Sequence, residues 1–219
     1  MVQFGQALAW HARMHQQVVF FLFADKSSSK DTSEIPVQPQ VISAVISSDV
    51  KSAHEAMLAS QWAEALDRLE TAEAVRNISA FDLKTIYEYR GIANFHLQRY
   101  RAAQQAFEKA LLLALDFSME DALSDMRQLF YLSVITKQYL NSIELGRSLV
   151  QHDVATAKDM AELSHSYFSI QDCKYAMSWA DKSVAASAKA GKLPDGLVLH
   201  VKLNCERSDE VAKSAAETD

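Results

Sequence analysis

The sequence predicts an all-α fold of antiparallel helix pairs, because apolar residues recur at helical spacing and helix-breaking residues are scarce. From Val41 onward, apolar side chains recur at i, i+3, i+4 and i+7, as in RAAQQAFEKALLLAL, which begins at Arg101. Only five glycines and three prolines occur in 219 residues, which leaves little room for strands and their tight turns. Aromatic residues recur at nearly constant spacing along the same region. We therefore expect about nine or ten helices in pairs.

The clearest repeat lies in residues 87–111, which read YEYRGIANFHLQRYRAAQQAFEKAL. An aromatic residue, Tyr100, lies at the expected turn between two helices. Small and large apolar residues surround it at helical spacing, and they are Gly91, Ala103, Phe107 and Ala110. This arrangement resembles the tetratricopeptide repeat (TPR), a helix-turn-helix unit of 34 residues in which small residues lie where the two helices cross. The resemblance implies a right-handed α-solenoid of stacked helix pairs.

Three further segments follow the pattern less closely, with their turns at Trp62, Tyr139 and Cys173. The steps between turns are 100 − 62 = 38, 139 − 100 = 39 and 173 − 139 = 34 residues. Because one unit cannot bury its apolar faces alone, we expect these four units to stack. The segment after Gly196 ends in a polar, alanine-bearing tail and is typical of a C-terminal capping helix. The resemblance therefore covers about residues 45–215.

The predicted helix starts carry capping residues. Ser79 is followed by Asp82, and Ser118 by Asp121. A hydroxyl oxygen and a carboxylate at this spacing accept hydrogen bonds from the free N–H groups of a first helical turn. These pairs place the starts of two first helices near residues 80 and 119.

Residues 1–40 differ from the rest, and we expect them to form an N-terminal extension of a repeat domain at 41–219. They contain an apolar run from Val18 to Ala24, then a Ser-, Asp- and Lys-rich stretch with Pro36 and Pro39. The run is too short to span a bilayer. It is compatible with a degenerate secretory signal, with an amphipathic helix or with an unstructured extension. Deleting the extension should leave the stability of the remaining chain nearly unchanged.

The cellular location depends on which of these alternatives holds. If residues 1–24 act as a signal, we expect a periplasmic or envelope protein, and otherwise a cytoplasmic one. Among TPR proteins, the GKLP element at residues 191–194 resembles bacterial envelope members. We expect a divergent bacterial-type member of the family.

Composition and motifs argue against several functions. The net charge of −6, without a Lys/Arg cluster, argues against nucleic acid as the main ligand. The chain has no GxSxG, GxxxxGK[ST], GxGxxG or HExxH motif, so we expect no enzymatic activity and no cofactor. His11 and His15 are one helical turn apart, but without a nearby third ligand they favour surface histidines over a metal site.

The two cysteines, Cys173 and Cys205, allow two interpretations. In an exported protein they could form a disulfide. A disulfide requires Cα atoms within about 7 Å, whereas neighbouring helices lie about 8–10 Å apart. We therefore expect two free, partly buried thiols with a packing role.

The TPR resemblance implies a groove lined by the first helices of successive units, which receives a peptide or a helix of a partner protein. Carried over by the repeat register, the predicted groove residues are Met57, Ile92, Phe95, His96, Arg127, Tyr131, His165 and Phe168. Family members that hold acidic C-termini use Lys and Asn at repeat positions 5 and 9, whereas this chain has Glu88 and Ile92 there. The lining favours an apolar or aromatic-bearing segment. In the alternative function, this surface or the Val18–Ala24 segment mediates self-association into a homo-oligomer.

Overall fold

The structure is a computed structural model that describes residues 41–216. This region forms nine α-helices and contains no strand. The helices are α1 (Ala44–Leu58), α2 (Trp62–Glu73), α3 (Ala80–His96), α4 (Tyr100–Ala114), α5 (Met119–Ile135), α6 (Tyr139–Gln151), α7 (Ala157–Ser169), α8 (Cys173–Lys189) and α9 (Gly196–Ala216). The predicted all-α fold is confirmed. The predictions for residues 1–40, including the His11 and His15 pair and the Val18–Ala24 run, lie outside the described residues.

Consecutive helices pack as antiparallel pairs, α1 with α2, α3 with α4, α5 with α6 and α7 with α8, and neighbouring pairs stack in chain order. The second helix of each pair begins at the residue that the repeat register assigns to the turn. These first residues are Trp62, Tyr100, Tyr139 and Cys173. We refer to the pairs as units 1 to 4.

The turn inside each unit has the same backbone geometry although its sequence varies. Its middle residue has a positive φ, and the four residues are Ser60 at 58°, Gln98 at 58°, Lys137 at 59° and Gln171 at 65°. The next residue donates its N–H to the carbonyl five positions earlier, as Arg99 does to Asn94 at 2.8 Å and Gln138 to Ser133 at 2.8 Å. This is a Schellman-type helix end. A left-handed conformation is unfavourable for non-glycine residues, so its recurrence indicates that helix packing imposes the turn.

Each unit closes where its two helices cross. In unit 2, Gly91 of α3 faces the Phe107 ring of α4, and a Cβ atom on Gly91 would lie 2.7 Å from that ring. In unit 3 the sizes are exchanged, because Phe130 of α5 faces Gly146 of α6, where a Cβ atom would lie 2.9 Å from the Phe130 ring. Phe107 and Phe130 are both buried.

The first helices α3, α5 and α7 begin with the same capping pattern. The side chains of Ser79, Ser118 and Thr156 accept hydrogen bonds from the backbone N–H of Asp82, Asp121 and Asp159, respectively, at 3.0, 3.1 and 3.2 Å. The first two pairs were predicted, whereas the Thr156 pair was not. Each of these aspartates also binds the preceding unit, since the Asp82 carboxylate accepts the Ser43 N–H at 2.8 Å and Asp121 lies 3.5 Å from the Lys84 ammonium. Helix caps therefore also join consecutive units.

The expectation of free thiols is wrong, because Cys173 and Cys205 form a disulfide. The Cα atoms are 5.5 Å apart. Helix packing distances are measured between axes, whereas facing Cα atoms each lie about 2.3 Å from their axis and approach much more closely. Helix α9 packs on α7 and α8, and the disulfide joins its middle to the first residue of α8.

The buried core is rich in small apolar residues and follows the helix interfaces. At the N-terminal end it contains Ile46, Val50, Ala53, Leu69, Ala72 and Ile86, all with little or no exposure. Within residues 41–216, no helix is long and apolar enough to cross a membrane.

Candidate functional site

A cavity of about 320 Å³ lies between the first helices of units 2, 3 and 4. We call it the groove cavity. Most of its lining is apolar or aromatic, with a few polar groups. The lining residues are Ile92, Phe95 and His96 of α3, Phe107 of α4, Gln128, Tyr131, Val134 and Ile135 of α5, and Lys158 and Glu162 of α7.

Tyr131 is held in place by hydrogen bonds between units 3 and 4. Its hydroxyl donates to Asp159 Oδ1 at 2.6 Å, and Arg127 Nε donates to Asp159 Oδ2 at 3.3 Å. Arg127 also donates to the carbonyl oxygen of Val154 at 2.6 Å. Burial, together with the hydrogen bond to Asp159, raises the pKa of the Tyr131 hydroxyl above its usual range. The Tyr131 ring is therefore fixed, and the Arg127 guanidinium is already hydrogen-bonded to Asp159 and to the Val154 carbonyl.

Aromatic contacts fix the unit 2 side of the cavity. The His96 ring stacks on Trp62 with centroids 3.9 Å apart and planes 3° from parallel. Phe95 contacts His96 edge-on at 5.7 Å and Tyr100 at 5.9 Å. Phe95 remains half-buried, so part of its ring is available to a ligand.

The unit 4 wall carries the charged groups of the cavity. Lys158 Nζ lies 4.7 Å from the centroid of the Tyr131 ring, which is a cation–π contact. One turn further along α7, Glu162 is half-buried. Burial raises the pKa of the Glu162 carboxyl, Lys158 acts in the opposite direction, and Asp195 and Asp159 raise it further.

A buried polar cluster joins α3 and α5 one helical turn from the cavity. Lys84 Nζ lies 2.7 Å from Glu88 Oε1 and 3.5 Å from Asp121 Oδ1. Asp125 is 2% exposed, and its Oδ2 atom accepts no hydrogen bond. Burial, together with the adjacent Glu88 carboxylate, raises the pKa of Asp125 to about 8, although Lys84 opposes this shift. Near neutral pH the Asp125 carboxyl keeps its proton and can donate it to Glu88.

The structure brings four of the eight predicted groove residues into one cavity, namely Ile92, Phe95, His96 and Tyr131. The other four lie outside its lining. Arg127 is bound to Asp159, and His165 contacts Tyr139 edge-on at 6.0 Å. Phe168 contacts His200 of the capping helix edge-on at 6.2 Å. Met57 is half-buried on α1.

The lining also contains residues that the sequence-based set omitted, including Gln128, Ile135, Lys158 and Glu162. All four had a signal in the sequence. Ile135 and Lys158 fall at repeat positions 13 and 2, which line the groove in the family, but neither was assigned. Gln128 and Glu162 both fall at repeat position 6, where family members that hold acidic C-termini carry basic residues, but neither was assigned.

The described side chains do not support a metal centre. No group of three or more His, Cys, Asp or Glu side chains in this part of the chain is arranged to hold a metal ion. Burial lowers the pKa of His165, and nearby His200 lowers it further. These two histidines are thus neighbours without a third ligand.

Comparison with known proteins identifies a fold. No protein-family model matches the chain, and no curated protein does. Among solved structures, MamA (residues 41 to the end) from Desulfovibrio magneticus RS-1 is similar at 18% sequence identity with a TM-score of 0.63, covering 81% of this chain and 92% of that one. A kinesin light chain from Podosopora anserina with nearly identical TPR-like repeats is similar at 16% identity with a TM-score of 0.55, covering 78% of this chain and 89% of that one. Together with the nine described helices, these similarities show that the chain has a divergent TPR-like fold, an α-solenoid of helix pairs.

Proposed function

We propose that this chain is a non-catalytic interaction module that docks a peptide or helix of a partner protein in the groove cavity. One observation carries this proposal: the half-buried side chains of Phe95 and Tyr131 line the same, mostly apolar cavity between three successive first helices. Aromatic side chains that a partner buries in a preformed pocket supply much of the binding energy of protein interfaces. A cavity of this size accommodates a few large side chains rather than a whole globular surface.

The cavity is preorganised, which favours binding. Tyr131 is fixed by Asp159, and His96 is fixed by its stacking on Trp62. Side chains that are already ordered lose little conformational entropy when a ligand binds. The few polar groups at the wall would orient the ligand, while the apolar floor supplies affinity.

The fold supports protein partners without identifying one. Stacked helix pairs expose an extended surface on their first helices, and such surfaces suit extended or helical segments. No catalytic motif occurs in the sequence, so we propose no reaction.

A selection experiment with a random peptide library, displayed on phage and offered to the immobilised full-length chain, tests the docking proposal. We expect the chain to enrich a peptide family that is lost with Phe95→Ala and with Tyr131→Ala. For peptides resynthesised from that family, each substitution should weaken binding by about 1–3 kcal/mol. Phe168→Ala tests whether the docked segment extends along α7 beyond the cavity lining. Leu140→Ala is a matched control, because Leu140 is 69% exposed on a second helix.

The outcome depends on the contrast between groove and control variants. Circular dichroism should show unchanged helicity for all of them. If the Phe95 and Tyr131 variants select and bind the same peptides as the parent chain, the groove cavity is not the docking site. If Leu140→Ala abolishes binding equally, the binding surface lies elsewhere.

Self-association is a second candidate function, supported by apolar side chains at both ends of the described array. Val45 on α1 is 66% exposed, and Leu199 and Leu203 on α9 are 54% and 55% exposed. Exposed apolar residues at the ends of a solenoid can bring copies together end to end. Size-exclusion chromatography with light scattering over a concentration series tests this directly, and a constant monomer mass would exclude it.

A further inference from the structure

We propose that the segment docked in the groove cavity carries a lysine or arginine beside a large apolar residue, and that Glu162 binds this cation. The inference rests on the proposed docking function and specifies the chemistry of the partner. It follows from a carboxylate of the cavity wall that forms no ion pair within residues 41–216.

The half-buried Glu162 carboxylate lines the cavity. Among the side chains that the structure describes, none donates a hydrogen bond to it and none forms an ion pair with it. Burial already raises its pKa, which means that the ionised form is partly desolvated. Asp159 and Asp195 add negative potential at the same place. A cation at this position would relieve both penalties.

The cations around the cavity are engaged elsewhere. Arg127 is bound to Asp159 and to the Val154 carbonyl, and Lys84 is bound between Glu88 and Asp121. Lys158 lowers the pKa of Glu162, yet its ammonium lies over the Tyr131 ring and forms no ion pair with Glu162. Protonated Asp125 contributes no charge near neutral pH. Around the α7 wall, the two cations Arg127 and Lys158 thus face three carboxylates, Asp159, Glu162 and Asp195, which leaves this wall slightly acidic.

The apolar part of the lining specifies the residue next to the cation. Phe95, Ile92 and Val134 line the cavity together with Tyr131, whose ring is held by Asp159. A large apolar side chain would fill this space while a neighbouring basic side chain reaches the α7 wall. An acidic segment would instead bring a carboxylate towards Glu162, and like charges in a partly desolvated site disfavour such a partner.

The peptide selection described above tests this inference when it is repeated with three variants. Glu162→Gln removes the charge and keeps the shape, Lys158→Gln removes the nearby cation, and Glu70→Gln makes the same change at an exposed site on a second helix. We expect the parent chain and Glu70→Gln to enrich peptides with Lys or Arg beside an aromatic or aliphatic residue, and Lys158→Gln, which removes a cation that competes for Glu162, to enrich them more strongly. Glu162→Gln should keep the apolar preference and lose the basic one.

A double-mutant cycle on one selected peptide measures the pairing. Replacing its basic residue by Gln should weaken binding to the parent chain about tenfold and leave binding to Glu162→Gln almost unchanged. The salt dependence of parent binding provides a readout without a substitution, since a charge pair at the cavity weakens as NaCl is raised.

Several results would overturn the inference. If the parent chain and Glu162→Gln select the same peptides, or if the cycle shows no coupling, Glu162 does not bind a cation, although docking that depends on Phe95 would still support the proposed function. Enrichment of acidic peptides that is lost in Lys158→Gln would assign the opposite charge preference. Loss of Phe95 dependence would remove the docking function itself, and a dimer that Phe95→Ala dissociates would identify a second copy as the occupant.

Discussion

Units 2 and 3 fill the same helix crossing with their residues exchanged. In unit 2 the small residue is on the first helix, Gly91, and the large one is on the second, Phe107. In unit 3 the large residue, Phe130, is on the first helix, and the small one, Gly146, is on the second. Both arrangements place a ring against a glycine at the same pair of repeat positions. The packing therefore requires a combined volume across the crossing rather than a particular residue on either helix.

The exchange explains why unit 3 matches the TPR pattern poorly. A consensus assigns a residue type to each position separately, so a compensated exchange counts as two mismatches. The other units show further combinations at these positions, Ala53 with Leu69 in unit 1 and Ser164 with Ala180 in unit 4, and all four residues are buried. In unit 4 neither residue is large, and Ser164 Oγ donates to the Ala176 carbonyl at 2.8 Å instead.

Removing the two rings should have the largest effect. We expect Phe107→Ala and Phe130→Ala each to lower the free energy of unfolding by about 3–5 kcal/mol, because each leaves a void opposite a glycine that cannot fill it. Urea denaturation followed by circular dichroism measures the loss. Phe168→Ala, which is half-buried, serves as the milder control. A loss below that of the control in either unit would show that the two crossings are not equivalent.

Unit 4 has no large residue at its crossing, and its disulfide to α9 should carry more of its stability. The bridge closes a loop with a sequence separation of 32 residues. Replacing both Cys173 and Cys205 by Ser should lower the free energy of unfolding by about 2–4 kcal/mol. Reducing the parent chain should shift its unfolding by a similar amount, while the double variant should not respond to the reductant. Two thiols that react with a thiol reagent in the unreduced folded chain would contradict the disulfide.

Larger side chains at Gly91 and Gly146 test whether each crossing has room for only one large residue. Gly91→Leu and Gly146→Leu should each cost about 1–3 kcal/mol or more, because the new Cβ atoms meet Phe107 and Phe130 inside contact distance. Thermal unfolding of the two variants provides the comparison. Leu at Gly196, where a Cβ atom would meet nothing within 4 Å, is the matched control.

A double exchange sharpens the same test. Gly91→Phe combined with Phe107→Gly would reproduce the unit 3 arrangement in unit 2, and we expect it to be more stable than Gly91→Phe alone. Additive losses would mean that the surroundings of each unit, rather than the summed volume, determine which helix carries the ring.

Asp125 of α5 faces the polar cluster that joins units 2 and 3, and the stability of the fold should depend on pH through this group. Asp125 of α5 keeps its proton in the folded chain up to about pH 8, whereas it loses that proton near its ordinary pKa of 3.8 when unfolded. Between these values the folded state binds more protons, so this group lowers stability as pH rises, by at most about 1.4 kcal/mol per pH unit. The groups that face it are Glu88, Lys84 and Asp121.

Asp125→Asn should remove this dependence. Urea unfolding between pH 5 and 8 should show a smaller loss of stability with rising pH for the variant than for the parent chain. Burial opposes ionisation of Asp82, but hydrogen bonds from Ser43 and Ser79 lower its pKa overall. Its stabilisation is fully present above its unfolded pKa, so Asp82 should add little to the slope between pH 5 and 8. Equal slopes for variant and parent would show that Asp125 is ionised in the folded chain.

About half of the groove could be predicted from the sequence. The repeat register assigns Ile92, Phe95, His96 and Tyr131 to first helices, and these residues meet in the cavity. The register does not specify which of these side chains already form hydrogen bonds with other helices. Arg127 was expected in the groove but is bound to Asp159, and this bond depends on how far α5 and α7 approach each other.

Helix periodicity, turn spacing and capping residues act over a few neighbouring positions, so the helices and their ends could be predicted without the structure. The sequence therefore specified the all-α class, the second-helix starts at Trp62, Tyr100, Tyr139 and Cys173, and the caps at Ser79 and Ser118. Which distant groups meet depends on how the helices pack against one another. Three features depend on distances and solvent exclusion between helices, which no local pattern encodes. They are the Cys173–Cys205 disulfide, the exchange between Phe107 and Phe130, and the position of the Glu162 carboxylate, which forms no ion pair with the described residues.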